Sequence, residues 1–462
     1  MAAVTEVLRR PARRRETSPT EGAMPPGPRW PRVAQLAGWL YRPYELLEHC
    51  RRTHGTPFTL RLPGWRTLVV FDDPQANKEV FTAPWRELYA GEANEPLRPV
   101  VGGHSLLLLD GERHVRERKL LLPPFHGQRM HRYGTVMREV AERDLATWPV
   151  GEPFAVQPHT QAITLDIILR TVFGVEEGAA MDRLREALVS LIADFSRPSL
   201  IVPVFQRDLG PRSPWGRFVR TRARTHALLA EEIEHRRRDR RQRDDVLSLL
   251  LAARHEDGTP MSGEELRDEL ITLLVAGHET TATALSWAFH HLTTRTDVQR
   301  RVHEELDAVF GDEPIDPARS GELALLDAVI QETLRINPVI AAVGRVLQRP
   351  CTVAGWTLPA GTMVIPNIYL THHNPAVWPE PGRFDPTRFL GRKASPYAFF
   401  PFGGGIRRCI GMAFALYEMR IVLATALSRH RVRRVPGRRI TPSRRSVTMA
   451  PSGDMPLILE RR

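Results

Sequence analysis

Hydrophobic positions recur mostly at helical spacing, with shorter alternating stretches towards both ends of the chain. Helical spacing predominates from about residue 74 to residue 296. Residues 58–71 alternate around a Pro-Gly turn and predict a β-hairpin, and short strands are predicted again after about residue 339. No repeat period is present. The pattern therefore predicts a mainly α fold with a smaller β portion drawn from both ends of the chain.

One long helix is predicted from residue 262 to about residue 296. Ser262 and Glu265 have the spacing of a capping box, which satisfies free N–H groups at the start of a helix. Apolar residues then occupy nearly every face, so we expect the middle of this helix to be buried nearly all round. Polar side chains are costly in such a place unless they have partners. The segment Ala-Gly-His-Glu-Thr-Thr at 276–281 is therefore unusual.

Two interpretations of this segment are open. In one, Thr280 bonds back to its own helix and Glu279 lies at a water-filled bend. In the other, Gly277 removes a side chain where a flat cofactor can press on the helix, and Thr280 offers a hydroxyl that relays protons. The second interpretation makes Glu279 and Thr280 candidate catalytic residues, with Ala276 and Gly277 as candidate cofactor contacts.

Composition and charge narrow the class of protein. The 462 residues are 42% hydrophobic and 26% charged, as in globular proteins, and no apolar run approaches the roughly 18 residues of a membrane span. Lysine and arginine together number 65 and aspartate and glutamate 53, which gives a formal net charge of +12. Such a charge would suit binding to nucleic acid, an anionic membrane or an acidic protein. The arginine runs at 13–15 and 236–243 lack interleaved aromatic residues, which argues against nucleic acid. We interpret the second run as a solvated helix end.

The cysteines and the N-terminus indicate the cellular setting. Three widely spaced cysteines make a disulfide framework improbable and favour a reducing compartment, so we expect a cytoplasmic protein. Residues 1–24 are arginine-rich without periodicity and are predicted to be a disordered tail. Glu6, Glu16 and Glu21 argue against a targeting peptide. A translation start at Met24 is left open.

A glycine-rich segment at 401–411 surrounds Cys409. A lone cysteine is usually a small buried hydrophobic residue. Here three preceding glycines permit a tight loop whose N–H groups converge on the sulfur, and the N-terminus of the apolar helix predicted at 412–428 also favours a thiolate. The segment matches the haem-thiolate signature Phe-x-x-Gly-x-Arg-x-Cys-x-Gly at five positions, which are Phe402, Gly405, Arg407, Cys409 and Gly411.

With this motif the chain resembles a cytochrome P-450 of the soluble bacterial type from about residue 25 to its end. The resemblance implies the cytochrome P-450 fold, one catalytic domain over residues 25–462, and haem b as cofactor. It also implies that the Cys409 thiolate is the axial ligand of the haem iron. Further haem contacts implied around the cysteine are Phe402, Gly403 and Gly411.

Other motifs follow in the order of the family. Glu332 and Arg335 lie three residues apart on one helical face, where they can pair. By the same resemblance Arg388 is the third member of this group, and its role is structural support of the cysteine loop. The spacing alone is weak, because Glu-x-x-Arg also occurs elsewhere in the chain.

The resemblance also assigns the groups that bind the haem propionates. His114 and Arg118 resemble the helix of the family that meets these carboxylates, and Arg345 and Arg407 resemble further contacts. Taken singly, each arginine could be a solvated surface charge and His114 a satisfied helix histidine. Their shared register with the cysteine loop favours the propionate interpretation.

The implied reaction inserts one atom of O2 into a C–H bond of a hydrophobic small molecule, while the other atom leaves as water. Thr280, Glu279 and waters would deliver the protons. No flavin or iron–sulfur module fits in the chain, so the electrons would come from a ferredoxin or flavodoxin and its NAD(P)H-dependent reductase. A basic face with Arg408 and Arg420 would attract that acidic partner. We expect a monomer.

Positions that resemble the substrate pocket of the family are apolar and favour a hydrophobic substrate, although each residue could equally belong to an ordinary core. The resemblance points to a fatty acid, terpenoid or steroid. The pocket positions are Leu97, Leu106, Leu200, Leu273, Ala276, Val339, Ile340, Val343 and Met449.

Two alternative functions remain at this point. A haem-thiolate peroxygenase, isomerase or dehydratase needs no electron partner, but the Glu279 and Thr280 pair argues against it. A basic nucleic-acid-binding protein is supported by charge alone.

Overall fold

Helices make up 56% of the chain and strands 12%, which confirms the prediction of a mainly α fold with a smaller β portion. The computed structural model describes residues 23–125, 129–174, 178–196, 206–210, 212–239, 241 and 243–462. Most of the predicted N-terminal tail and Leu200 lie outside the described residues.

The α-helices of the described residues are, in chain order, α1 (Arg32–Tyr41), α2 (Pro43–His54), α3 (Pro74–Thr82), α4 (Arg98–Val101), α5 (Gly111–Leu121), α6 (Arg129–Leu145), α7 (Val156–Phe173), α8 (Ala179–Phe195), α9 (Pro214–Arg238), α10 (Val246–Ala252), α11 (Gly263–Thr294), α12 (Thr296–Phe310), α13 (Ala324–Ile336), α14 (Ile368–His372) and α15 (Met412–Arg429).

The strands are β1 (Phe58–Arg61), β2 (Thr67–Phe71), β3 (Leu88–Tyr89), β4 (Pro153–Ala155), β5 (Arg345–Leu347), β6 (Cys351–Val353), β7 (Trp356–Leu358), β8 (Met363–Pro366), β9 (His430–Arg434), β10 (Pro442–Arg445), β11 (Thr448–Pro451) and β12 (Pro456–Arg461).

The largest sheet joins strands from both ends of the chain, as the hydrophobic pattern predicted. Its order is β1-β2-β8-β5-β3. The predicted hairpin pairs Phe58 with Val70, and β8 adds to β2 in parallel, with Val364 opposite Val69. The remaining strands form a three-stranded sheet of order β4-β12-β9 and the two-stranded ribbons β6-β7 and β10-β11.

The long helix α11 begins where its sequence predicted. The Ser262 hydroxyl accepts from the Glu265 N–H at 3.1 Å, and the Glu265 carboxylate accepts from the Ser262 N–H at 2.9 Å, so the capping box is complete. The helix packs against α7 and α15 and contributes to the largest apolar core. The middle of α11 is buried nearly all round, as expected, except around Ala276, which is exposed, and Thr280, which is half-buried. One face of α11 is therefore open at this segment.

The arginine run that begins at Arg236 is not simply a solvated helix end. Arg236 is 5% exposed, pairs with Asp245 at 2.5 Å, and donates to the Phe173 carbonyl at 2.8 Å. A buried guanidinium needs such partners. This arginine therefore ties α9 to α7 and α10. None of the helices among the described residues combines the length and the apolar character needed to cross a membrane.

Candidate active site

The loop before Cys409 adopts a conformation that requires its glycines. Gly403 and Gly405 have φ of 70° and 64°, where other residues are strained. A Cβ on Gly404 would lie 2.4 Å from the Phe81 ring, so a side chain has no room there. The Cys409 N–H donates to the Phe402 carbonyl at 2.9 Å and closes the loop. Helix α15 starts directly after it.

The Cys409 thiol differs from the other cysteines in its surroundings. Cys409 is exposed, whereas Cys50 is buried and Cys351 half-buried. Desolvation by the surrounding protein raises the pKa of Cys409, while the Gly411 N–H and the charges of Arg118 and Arg408 lower it. The sulfur thus lies near cationic and N–H groups that favour a thiolate.

A group of cationic side chains surrounds the loop. Arg118 donates to the Arg408 carbonyl at 2.6 Å, Arg345 donates to the Gly404 carbonyl at 3.3 Å, and Arg407 pairs with Asp110. Among the described residues, Asp110 is the one carboxylate that forms an ion pair with any of these three arginines.

Burial and mutual repulsion perturb these groups. Desolvation, reinforced by Arg407, lowers the pKa of Arg345 to about 10. His114 is 2% exposed, and desolvation followed by the charges of Arg407, Arg118 and Arg345 lowers its pKa to about 3. The site therefore offers N–H donors and excess positive charge, which together suit a bound anion.

The segment 104–110 contacts both the cysteine loop and α11. The Thr272 hydroxyl donates to the Ser105 hydroxyl at 2.7 Å, and the His104 N–H donates to Asp268 at 3.0 Å. Arg407 donates to the Leu106 carbonyl at 3.1 Å. The open face of α11 and the Cys409 loop are thus attached to one segment.

Glu332, Arg335 and Arg388 meet in the interior. Two hydrogen bonds of 2.7 and 2.8 Å join Arg335 to Glu332, and both side chains are 0% exposed. Arg388 lies 3.5 Å from Glu332, which also accepts from the Asp385 N–H at 2.9 Å. Such a pair is stabilising only when its remaining hydrogen bonds are satisfied, as they are here.

His372 connects this ion pair to the cysteine loop and was missed by the sequence reasoning. Its carbonyl accepts from Arg335 at 2.8 Å, and its Nε2 accepts from the Phe400 N–H at 3.1 Å. Phe400 in turn accepts from the Gly403 N–H at 2.9 Å. The sequence offers little signal, because the adjacent His373 looks the same but bonds to Tyr369.

The segment 276–281 directs its polar residues to different sides of α11. The Thr280 hydroxyl, on the open face, donates to the Ala276 carbonyl at 2.5 Å. Glu279 is 8% exposed and accepts from Gln161 of α7 at 2.8 Å, while its Oε1 has no hydrogen-bond partner among the described residues. Desolvation raises the pKa of Glu279, against the opposing effects of Gln161 and Arg445.

Gly277 serves a different purpose from the one expected. A Cβ at this position would lie 3.1 Å from the Ile168 side chain, so the absent side chain makes room for α7. The sequence argument placed that space towards a flat cofactor. The neighbouring Ala276 is the exposed residue of the pair.

The expected pocket residues divide among several clusters. Leu106, Leu273 and Val339 are 7–8% exposed and belong to the main apolar core. Met449 is 2% exposed, and its N–H donates to the Val339 carbonyl at 2.8 Å. Of the remaining described members, Leu97, Ile340 and Val343 are half-buried and Ala276 is exposed. The structure thus brings Val339 and Met449 together directly.

A cavity of about 960 Å³ lies among α6, α7 and α8, on the far side of α11 from Thr280. Its lining includes Gln161, His278 and Arg445. Gln161 also holds Glu279, so this cavity adjoins the buried carboxylate. A smaller recess of about 20 Å³ is lined by His114, Arg345 and Arg407.

Of the two arginines expected on the basic face, one is available and the other is not. Arg408 is exposed beside Ile406, an apolar side chain that is 39% exposed. Arg420 forms two hydrogen bonds of 2.6 and 2.8 Å to Asp327 and is therefore committed to that ion pair. Arg116 of α5 is exposed as well.

Comparison with known proteins identifies matches to cytochromes P450. The family model described as Cytochrome P450 matches residues 24–457. A protein named putative cytochrome P450 135B1 from Mycobacterium tuberculosis is 41% identical over 408 residues, which cover 88% of this chain and 85% of the relative. Putative cytochrome P450 138 of the same species is 40% identical, covering 87% and 89%.

Two solved structures of cytochromes P450 are also similar to this chain. Cyanobacterial CYP120A1 with bound retinoic acid is 27% identical with a TM-score of 0.82, covering 92% of this chain and 97% of that one. The cytochrome P450DA heme domain is 25% identical with the same TM-score, covering 95% and 97%.

Proposed function

The chain belongs to the cytochrome P450 family, and from this premise we propose that it oxidises a C–H bond of an apolar small molecule with electrons from separate redox proteins. Members of the family are monooxygenase oxidoreductases that use haem b, O2 and a small-molecule substrate. One oxygen atom enters the substrate and the other becomes water.

The residues around Cys409 fit this cofactor. Haem b carries two propionates, and the cationic group of three arginines with its single paired carboxylate suits two further negative charges. The accessible Cys409 thiol lies beside this group, since Arg118 is close enough to lower its pKa. When bound, the haem supplies the activation of O2, and its thiolate ligand favours cleavage of the O–O bond.

The proposed roles of the residues follow from their positions in the site. Cys409 would supply the thiolate that holds the haem iron, and residues 25–462 would form the catalytic domain. Glu332, Arg335 and Arg388 hold the loop through His372. The side chains proposed to bind the propionates are those of His114, Arg118, Arg345 and Arg407. The residues proposed to contact the ring are Phe402, Gly403, Gly411 and Ala276.

Proton delivery is proposed to involve both sides of α11. Gln161, which lines the 960 Å³ cavity, holds Glu279, whose Oε1 is buried without a partner among the described residues and is proposed as the site that takes up the proton. Thr280 holds its proton on the open face, in a bond to the Ala276 carbonyl. Because the two side chains point apart, waters must carry the proton between them.

The apolar wall of the open face carries the substrate proposal. Ala276 is exposed there, and the same helix presents Leu273 less than one turn earlier. Val339 and Met449, which are joined by a backbone hydrogen bond, are proposed as further pocket residues. Such a wall binds by desolvation of apolar groups and favours a fatty acid, terpenoid or steroid. The related CYP120A1 structure with retinoic acid supports an isoprenoid as a first compound to test.

A spectral titration tests the substrate class. Fatty acids, terpenoids and steroids are titrated into haem-loaded protein, and a saturable change of the haem absorption is expected for at least one class. Turnover of that compound under 18O2 should add one labelled atom. Ala276→Phe should weaken binding, whereas Val33→Phe, at a site 70% exposed, should not. Absence of any apolar ligand, or equal affinities in both variants, would contradict the proposal.

The redox partner is proposed to be an acidic ferredoxin or flavodoxin that docks near the cysteine loop. Exposed Arg408 follows the exposed Ile406 by two residues, which gives a basic surface with an apolar side chain. Arg408→Glu should slow electron transfer from reduced ferredoxin at low salt, and Arg183→Glu on α8 should not. Full turnover with added peroxide and none with ferredoxin would instead establish a peroxygenase. The monomeric state and the cytoplasmic location stay predictions.

A further inference from the structure

Three potential metal ligands meet between α5 and the start of α11, away from the haem site. They are Glu117 of α5, His255 in the connection from α10, and Glu265 of α11, and their ligand atoms lie within 4.8 Å of one another. The His255 Nδ1 is 3.7 Å from the Glu117 carboxylate, and its Nε2 is 3.6 Å from the Glu265 carboxylate.

The cluster contains carboxylates that the described residues leave unsatisfied. Glu117 is 6% exposed, and its Oε2 has no hydrogen-bond partner among the described residues. Glu269, one turn after Glu265, is 1% exposed and has no ion-pair partner within the described part of the chain. A buried carboxylate oxygen without a partner is costly, so the Oε2 atom of Glu117 favours an added partner such as a bound cation.

Besides His255, two basic side chains approach Glu265 only at the outer limit of an ion pair. Arg113 lies 4.0 Å and His104 3.9 Å from the Glu265 carboxylate, and the two bond to each other at 2.7 Å. Neither satisfies the Oε2 atom of Glu117, which has no hydrogen-bond partner among the described residues.

We propose that Glu117, His255 and Glu265 bind one divalent transition-metal ion of the zinc class, with water in the fourth position. Zinc prefers four ligands of this kind, and bonds of about 2.1 Å to a tetrahedral ion separate neighbouring ligand atoms by about 3.4 Å. The three ligand atoms, one from each residue, lie within 4.8 Å of one another, so they must draw together by up to about 1.4 Å to hold the ion.

The backbone already holds His255 in place. Its N–H donates to the Thr259 carbonyl at 2.9 Å, and its carbonyl accepts from the Gly258 N–H at 2.9 Å, with Gly258 at a φ of 83°. The ion would clamp this turn and α11 to α5, the helix that carries His114 and Arg118. The site does not depend on the proposed substrate or redox partner.

Zinc content is the direct test. Haem-loaded protein is stripped with a chelator, dialysed against Zn²⁺, and assayed for zinc and iron by mass spectrometry. We expect one zinc per chain and a higher unfolding temperature with zinc than without. Glu117→Gln, His255→Ala and Glu265→Gln should each weaken zinc binding at least tenfold. Gln at 265 keeps the acceptor that the capping box needs.

Glu256→Gln is the matched control, because Glu256 is adjacent to His255 but is 70% exposed and faces Lys119. This variant should bind zinc as the parent does. The proposal is overturned if the parent retains no zinc, or if His255→Ala and Glu265→Gln retain it unchanged. Haem content is measured for every variant, and if Glu117→Gln loses haem, the other two variants decide.

Discussion

Replacing His372 should loosen the cysteine loop, because this buried imidazole joins the interior ion pair to Phe400. Since the Phe400 N–H donates to Nε2, the proton must be on Nδ1, which donates to the Arg335 carbonyl at 3.2 Å. Desolvation, reinforced by His373 and Arg335, lowers the pKa of His372 well below its usual range, so the neutral ring persists. His372→Gln can still offer an oxygen to Phe400, whereas His372→Asn is too short to do so.

The size of the effect follows from the lost acceptor. An unpaired buried N–H costs about 1–3 kcal/mol. At about 1.4 kcal/mol for each factor of ten, His372→Asn should shift the loop about 5- to 140-fold towards its loosened form. His372→Gln keeps the Phe400 bond and should lose much less.

Haem content per chain and the carbon-monoxide spectrum of the reduced protein measure this effect. We expect His372→Asn to lose haem and the signature of thiolate ligation, with His372→Gln close to the parent. Exchange of the Phe400 amide hydrogen should accelerate in the Asn variant alone. If both variants match the parent, or both fail equally, the link through Nε2 is wrong.

Three further predictions concern proton delivery and support of the loop. Thr280→Ala should keep the haem but divert reducing equivalents to peroxide; an unchanged ratio of product to NAD(P)H consumed would count against its role. Gln161→Leu removes a donor that lowers the pKa of Glu279, so that pKa should rise and the pH at half-maximal coupling should move upwards; an unshifted profile would contradict the Gln161 contact. Glu332→Ala leaves the buried Arg335 uncompensated at a cost of about 3–5 kcal/mol, so poorly folded protein without haem is expected, and a stable, fully loaded variant would refute the support role.

The features that could be predicted from sequence are those with local causes. The capping box at Ser262 and the 58–71 hairpin depend on neighbouring residues, and both appear where expected. The glycines before Cys409 predicted a tight loop, and the structure has Gly403 and Gly405 at positive φ there, with no room for a Cβ on Gly404 beside Phe81.

What could not be predicted depends on which way a side chain faces in the assembled fold. Helical spacing did not reveal that Gly277 packs on Ile168, or that Glu279 turns to α7 while Thr280 lies on the open face. In the sequence, Arg236 is one residue of an arginine-rich run. Its burial depends on Asp245, which lies beyond the end of the helix that carries Arg236. Contacts between segments that are distant in sequence determine these side-chain orientations. The periodicity of hydrophobic residues carries no information about such contacts.

The most direct test of the account is the carbon-monoxide spectrum of the reduced Cys409→Ala protein, with Cys351→Ala as the control. We predict that Cys409→Ala abolishes the spectrum typical of thiolate-ligated haem and that Cys351→Ala retains it. Retention of that spectrum by Cys409→Ala would contradict the assignment of the iron ligand and, with it, the proposed mechanism.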